Sequence, residues 1–333
     1  MNAARTLLLG LCLAFTAPAV SAAVGERHLL VVSGLGGEPY YRDVFHRWSL
    51  TLLETIHGRY AMDDARSIYL SAHPELAPER VDGISRKAAV LTAIATLAER
   101  SSPGDRILIV LIGHGSAQGP EALFNLPGPD LSATDLADAL AALADRRVAV
   151  IDTTPASAPF LTALSRENRV IVSATANAAE AQHTRFAAYF VEALANDAAD
   201  TDKDKAISLL EAFRYAKRQV AQAYHSEQRL LTEHALLDDD GDGRGSPEPS
   251  PEGGDGGLAR RFTLAQPATD GGDERVTVAQ QALDVQAQRL VDLIGRLKRD
   301  KRVLPPERYR DRLESLLVAL ALNRRAYREV AAR

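Results

Sequence analysis

Two short stretches carry the residue types that do chemistry. In "ILIVLIGHGS", an apolar run from Ile107 to Ile112 ends on His114 between Gly113 and Gly115. That run reads as a buried strand, and open α/β sheets gather their chemistry at the carboxyl ends of such strands. The next apolar run, "VAVIDTTPAS", ends on Asp152, Thr153, Thr154 and Ser157. A histidine base, a hydroxyl from Ser157 or Thr154 and an orienting Asp152 would make a hydrolase triad. The alternative is an inactive site, in which Asp152 caps its turn and both hydroxyls bond local backbone.

A third stretch suggests a metal. "DTDKDKAISLLE" places oxygen donors at the spacing of an EF-hand loop: Asp200, Asp202, Asp204, the carbonyl of Ala206, Ser208 and Glu211. Ca2+ is the cofactor this implies. Lys205 replaces the usual glycine at the turn, and Ser208 with Glu211 also fits a capping box for the following helix. A second acidic run offers Asp238, Asp240, Asp242 and Gly243, but Pro249 holds the twelfth position, so it reads as a partial site or a turn. The two runs could share an ion if the fold joins them. "SGLGGEP", Ser33 to Pro39, reads as a tight turn into a helix, because Pro39 stands where a dinucleotide fingerprint needs its third glycine.

These residues need a frame. Strands are expected at Leu29 to Ser33, Ser67 to Leu70, Ile107 to Ile112, Val148 to Asp152 and Val170 to Ala174. Helices are expected at Tyr41 to Ile56, Ser85 to Arg100, Ala133 to Leu143, Thr184 to Ala195 and Leu209 to about Tyr224. The alternation predicts an α/β domain over 27–242, a mostly parallel sheet with helices on both faces. Residues 243–275, rich in Gly, Pro and Asp, read as a flexible linker or loop, and 276–333 as a helical hairpin broken at "VLPPE". That hairpin is expected to mediate intra- or intermolecular packing.

Composition narrows the function. Arg5, the apolar run Leu7 to Phe15 and the small residues 17–23 read as a signal peptide over 1–22, cleaved after Ala22 or Ala23, which implies export to a periplasm or beyond. The single cysteine of the 333 residues, Cys12, lies inside that run, so the mature chain has no thiol nucleophile, disulfide or thiolate ligand. A net charge of −5, spread along the chain, argues against nucleic acid, and no stretch beyond the leader suggests a membrane span.

Gly113, His114 and Gly115, followed by the strand ending in "IDTT", resemble the legumain-like (haemoglobinase) branch of the caspase-fold cysteine peptidases, with Thr154 where the cysteine would fall. "SGLGGEPYYRD" is similar to that family's first-strand loop, and "SATANAAEAQHTRFAAYFVEAL" to the strand, acidic loop and helix that complete its pocket. The likeness runs from about Arg27 to Asp242; "FNLPGPDLSATDLADAL" is associated only with bacterial relatives. It implies a caspase/legumain-like fold, His114 and Thr154 at the catalytic position, and Arg42, Gly115 and Glu180 on the substrate side. Gly36 departs from the family's histidine-orienting asparagine. The expectation is an exported homologue that has lost proteolysis and binds a peptide or protein partner, steadied by calcium. The alternative is a hydrolase using the Ser157 or Thr154 hydroxyl with His114.

Overall fold

The computed structural model describes residues 25–118, 121–177, 180, 183–251, 254–265 and 304–331, with single positions between 279 and 301. The expected signal peptide lies outside them.

One unit spans Val24–Gln266. Its strands are β1 (Arg27–Ser33), β2 (Ser67–Ser71), β3 (Gly83–Ile84), β4 (Arg106–Ile112), β5 (Gly115–Gln118), β6 (Glu121–Phe124), β7 (Leu131–Ser132), β8 (Arg147–Asp152), β9 (Arg169–Ser173) and β10 (Leu236–Asp238). Its helices are α1 (Pro39–Gly58), α2 (Lys87–Arg100), α3 (Ala133–Ala139), α4 (Ala158–Leu164), α5 (Phe186–Ala195), α6 (Leu209–Ser226) and α7 (Gly257–Arg261). Seven strands form one sheet in the order β10-β9-β8-β4-β1-β2-β3, parallel throughout except for β10. This is the expected α/β architecture. Strands β5 to β7 make a separate antiparallel sheet that the sequence reading does not include.

Strand alternation divides the core in two. Leu29, Val31, Leu108, Val110 and Ile112 face a cluster built with α1, α5 and α6, while Leu30, Val32, Ile107, Ile109 and Leu111 face one built with α2, α3 and α4. Both faces being covered explains why these strands read as unbroken apolar runs. Each fully buried Leu, Ile or Phe contributes roughly 1.5–3 kcal/mol toward offsetting chain entropy.

The α/β unit extends past the expected boundary at 242. Residues 243–251 and 254–265, expected to belong to a linker, pack on it. Phe262 and Leu264 are buried, Leu237 and Ser246 exchange backbone bonds, and the guanidinium of Arg106 donates to the Thr263 carbonyl at 2.7 Å. The buried Asp239 carboxylate organises this segment by accepting from the N–H groups of Gly256 and Ala259 at 2.8 and 2.7 Å. A composition of Gly, Pro and Asp here makes ordered turns rather than a free tether.

The other unit includes Pro267–Arg333. Its helix Pro306–Ala331 follows the expected break, and the described positions from 279 to 297 are helical. Within this unit Ala287, Ile294 and Leu297 are buried, and the Asn323 amide donates to Gln286 Oε1 at 3.2 Å.

The chain leaves β1 toward β2 on one side and returns to β4 on the other, which makes the carboxyl ends of β1 and β4 the switch point where open α/β sheets place their crevice. Backbones crowd there. A Cβ on Gly36 would lie 2.3 Å from the Arg42 nitrogen, at the start of α1. Gly36→Asn is therefore expected to lower unfolding stability by about 1–3 kcal/mol in urea denaturation; an unchanged midpoint would contradict the close approach.

Candidate functional site

His114 stands where the sequence places it, just past β4 in the crevice. Its Nε2 lies 3.1 Å from the Gly36 carbonyl oxygen. A carbonyl only accepts, so Nε2 carries the proton and Nδ1 is left as the basic nitrogen. The glycine that replaces the expected asparagine thus orients the ring through its backbone. Burial, reinforced by the charge of His183, lowers the His114 pKa and favours the neutral ring.

An aromatic surround holds this histidine. The rings of Tyr41 and Phe45 from α1 meet it edge-on at 4.9 and 5.0 Å, and His183 lies 5.3 Å away, stacked on Tyr41 at 4.3 Å. Tyr41 and His183 lie within segments read from sequence, but their meeting depends on tertiary packing. His183 is set by its neighbours. The Thr184 hydroxyl donates to the Thr153 carbonyl, and the buried Glu233 carboxylate accepts the N–H groups of Arg185 and Phe186 at the start of α5, at 2.7–2.9 Å. Burial drives Glu233 up to about 7.

The end of β8 is sealed. Thr154 is fully buried, and among the described residues its Oγ1 meets no hydrogen-bond partner within bonding geometry. A Cβ on Gly115 would come 2.8 Å from that oxygen, which shows how closely the glycine after His114 lies over Thr154. Gly115 is a spacer here. Asp152 is also fully buried. Its Oδ1 accepts the Thr154 N–H at 2.9 Å, and its Oδ2 has no partner among the described residues. Burial raises the Asp152 pKa to about 7, with the Thr154 groups pulling the other way. That bond closes its own turn, and among the described residues none joins Asp152 to His114.

Ser157 is a strut. Its buried Oγ accepts from the N–H groups of Ala174 and Thr175 at 2.9 and 3.2 Å and pairs with the Thr175 hydroxyl at 3.1 Å. That hydroxyl joins α4 to the turn after β9, and its bonding gives no support to a nucleophilic role.

On the substrate side, Arg42 projects from the first turns of α1 with its Nε on Asp43 at 2.8 Å. Glu180 is committed to structure. Its carboxylate accepts from Ala176 N–H at 2.8 Å and Asn177 amide at 3.2 Å, and it meets both the backbone and the ring of His234 at 3.2 and 3.0 Å. The crevice rim carries exposed apolar groups instead, Leu35 and Tyr40, the latter 67% exposed.

The acidic loop assembles in part. One carboxylate oxygen from each of Asp200, Asp202 and Asp204 lies within 4.8 Å of the others, and Lys205 takes the left-handed φ of 68° that the loop's sixth position needs. Ser208 and Glu211 do not join them. They form the capping box of α6, and Glu211 Oε1 also accepts from Thr201, so both its oxygens are occupied by protein donors. Ala206 enters the loop through its backbone N–H, which donates to Asp204 Oδ1 at 2.8 Å.

Residues 86–236 match the Peptidase C13 family. That stretch, which is similar to the legumain-like peptidases, includes His114, Asp152, Thr154, Ser157 and Glu180. Gly36 and Arg42 precede it. No curated protein matches the chain.

Two outcomes follow from this geometry. A buried Asp whose folded pKa is raised stays protonated where the unfolded chain has ionised, so its contribution favours the fold at low pH and is lost as pH rises from about 4 to 7. Asp152→Asn keeps the acceptor for Thr154 N–H and should shrink the stability difference between pH 5 and pH 8 by roughly 3 kcal/mol in urea titrations; an unaltered profile would contradict a buried acid. Ser208→Ala should cost about 1 kcal/mol equally with and without calcium. A loss confined to calcium-loaded protein would make Ser208 a ligand instead.

Proposed function

We propose that this chain is an exported legumain-like homologue that holds a peptide or protein segment in the crevice between β1 and β4 without cutting it. One observation carries the reading: Thr154, at the position the resemblance gives to the nucleophile, has a fully buried hydroxyl that meets no hydrogen-bond partner among the described residues. A threonine hydroxyl ionises far above neutrality and attacks only when a base takes its proton. His114 is oriented by its bond to Gly36, but no bond joins it to Thr154 among the described residues. Ser157 has its acceptor capacity filled. The only cysteine in the sequence is Cys12, within the segment read as a leader.

Binding needs less than catalysis. The exposed Tyr40 and Leu35 offer apolar contact, and the Arg42 guanidinium offers charge-assisted donors to a carboxylate or amide. The net charge of −5 supports a peptide or protein partner over nucleic acid. Among the described residues no helix is long and apolar enough to cross a membrane. Calcium enters this proposal through Asp200, Asp202 and Asp204, where Asp200 Oδ1 is buried without a donor.

The test is restoration of the thiol. Thr154→Cys replaces an unpartnered hydroxyl with a group that is partly ionised near neutral pH. The variant is expected to cleave after Asn or Asp in a peptide panel, while the parent leaves the same peptides intact and retains them on an affinity surface. A parent that neither binds nor cleaves any of them, alongside a silent variant, would contradict the proposal.

A further inference from the structure

At the opposite end of the strands, where β2 begins, a second histidine meets a hydroxyl. His57 Nε2 lies 2.8 Å from Ser67 Oγ, and His57 Nδ1 lies 3.4 Å from Asp64 Oδ1. We infer that Ser67, His57 and Asp64 form a hydrolytic site for small carboxylic esters, distinct from the crevice at His114. Neighbouring pieces of chain bring the three together: His57 sits in the last turn of α1, Asp64 opens the short helix Asp64–Arg66, and Ser67 is the first residue of β2.

The roles follow from which atoms can hold the proton. A carboxylate only accepts, so beside Asp64 the imidazole proton sits on Nδ1 and Nε2 presents its lone pair to the Ser67 O–H. The other acceptor near that hydroxyl is Met62 Sδ at 3.8 Å, a weak one. Nucleophile, base and orienting acid are thus in the order a serine hydrolase uses. Ser67 and His57 are half-buried, whereas Thr154 and Ser157 are sealed. Both line a cavity of about 100 Å³. Leu53 and Val81 give that cavity apolar wall, and the Arg80 guanidinium, which has no ion pair among the described residues, gives it a cation.

In the reaction, Ser67 Oγ adds to the ester carbonyl while its proton passes to His57 Nε2. Arg80 is the cation available to the carbonyl oxygen as it gains charge. The bond to the alkoxide then breaks, and the alkoxide leaves as an alcohol with the proton from Nε2, so an acyl ester remains on Ser67. Water attacks that ester, gives a proton to Nε2 and releases the carboxylic acid as the proton returns to Ser67 Oγ.

Exposure and charge set the substrate class. Asp64 is 88% exposed, so it orients His57 less firmly than a buried acid would, and one guanidinium stabilises an oxyanion less than paired backbone donors. An ester, whose alkoxide leaves more readily than an amine, is within reach of such a site; a peptide bond is not. The cavity volume limits the acyl group to a short one, and Glu54, Asp64 and Glu79 around the opening disfavour a negatively charged substrate.

Labelling of the purified chain with a fluorophosphonate, mapped by mass spectrometry, and turnover of p-nitrophenyl acetate test the site. The parent is expected to carry label on Ser67 and to hydrolyse the ester above the buffer rate. Ser67→Ala should lose that label and about ten-fold or more of the turnover, and His57→Gln, which still donates to the Ser67 oxygen, should do the same. Melting curves matching the parent show that each variant folds. Asp64→Asn should lower kcat several-fold with KM and melting unchanged, the split expected of a positioning residue. A parent with neither label nor turnover overturns the site, and so do label confined to other residues or turnover that survives both Ser67→Ala and His57→Gln.

Discussion

Close approach of three backbones at the carboxyl ends of β1, β4 and β8 governs the rest of the structure. Gly36 lies against the start of α1, and Gly115 lies over the Thr154 hydroxyl. A side chain at either point would have to push backbone or a buried group aside. The first contact brings Tyr41 and Phe45 onto His114 and gives its Nε2 the Gly36 carbonyl. The second keeps Thr154 beneath the histidine loop, out of solvent. An oriented histidine and a sealed hydroxyl are thus two results of one constraint.

The chemistry of that crevice follows from which polar groups remain unspent. Ser157, Glu180 and Glu233 are engaged by backbone donors, so they position loops. Among the described residues, Asp152 Oδ2 and Thr154 Oγ1 are buried at the end of β8 without a hydrogen-bond partner. Leaving a buried polar atom unmade costs about 1–3 kcal/mol, and such departures are expected where a site was shaped for other atoms. A cysteine sulfur, less dependent on hydrogen bonds, would suit the Thr154 position better.

Much of this was legible in the sequence because the central strands are buried on both faces. β1, β4, β8 and β9 appear as continuous apolar runs within a residue or two of their observed ends, and His114 follows directly from one of them. The small sheet β5-β6-β7 escaped because its strands are short and interrupted by polar residues, which leave no period to detect. β10 is three residues long and merges into an acidic run. The segment 243–265 was misread since its turn-rich composition resembles a tether, while its order comes from Asp239 and from the burial of Phe262 and Leu264. His183 and Asp255 carry no local signal at all. His183 stacks on Tyr41, far away in the chain, and Asp255 is held by the Asp239 N–H across a turn-rich segment. Spacing rules also overcounted: Glu211 fits an EF-hand on paper, yet its own helix start claims it first.

The proposed loss of proteolysis rests on a threonine hydroxyl that no bond joins to His114 among the described residues. Its most direct measurement is steady-state hydrolysis of a broad peptide library by the unmodified chain, run beside Thr154→Val, which keeps the shape and deletes the oxygen. Turnover indistinguishable from buffer in both proteins is the predicted result. Rapid cleavage by the unmodified chain that disappears in the valine variant would contradict it.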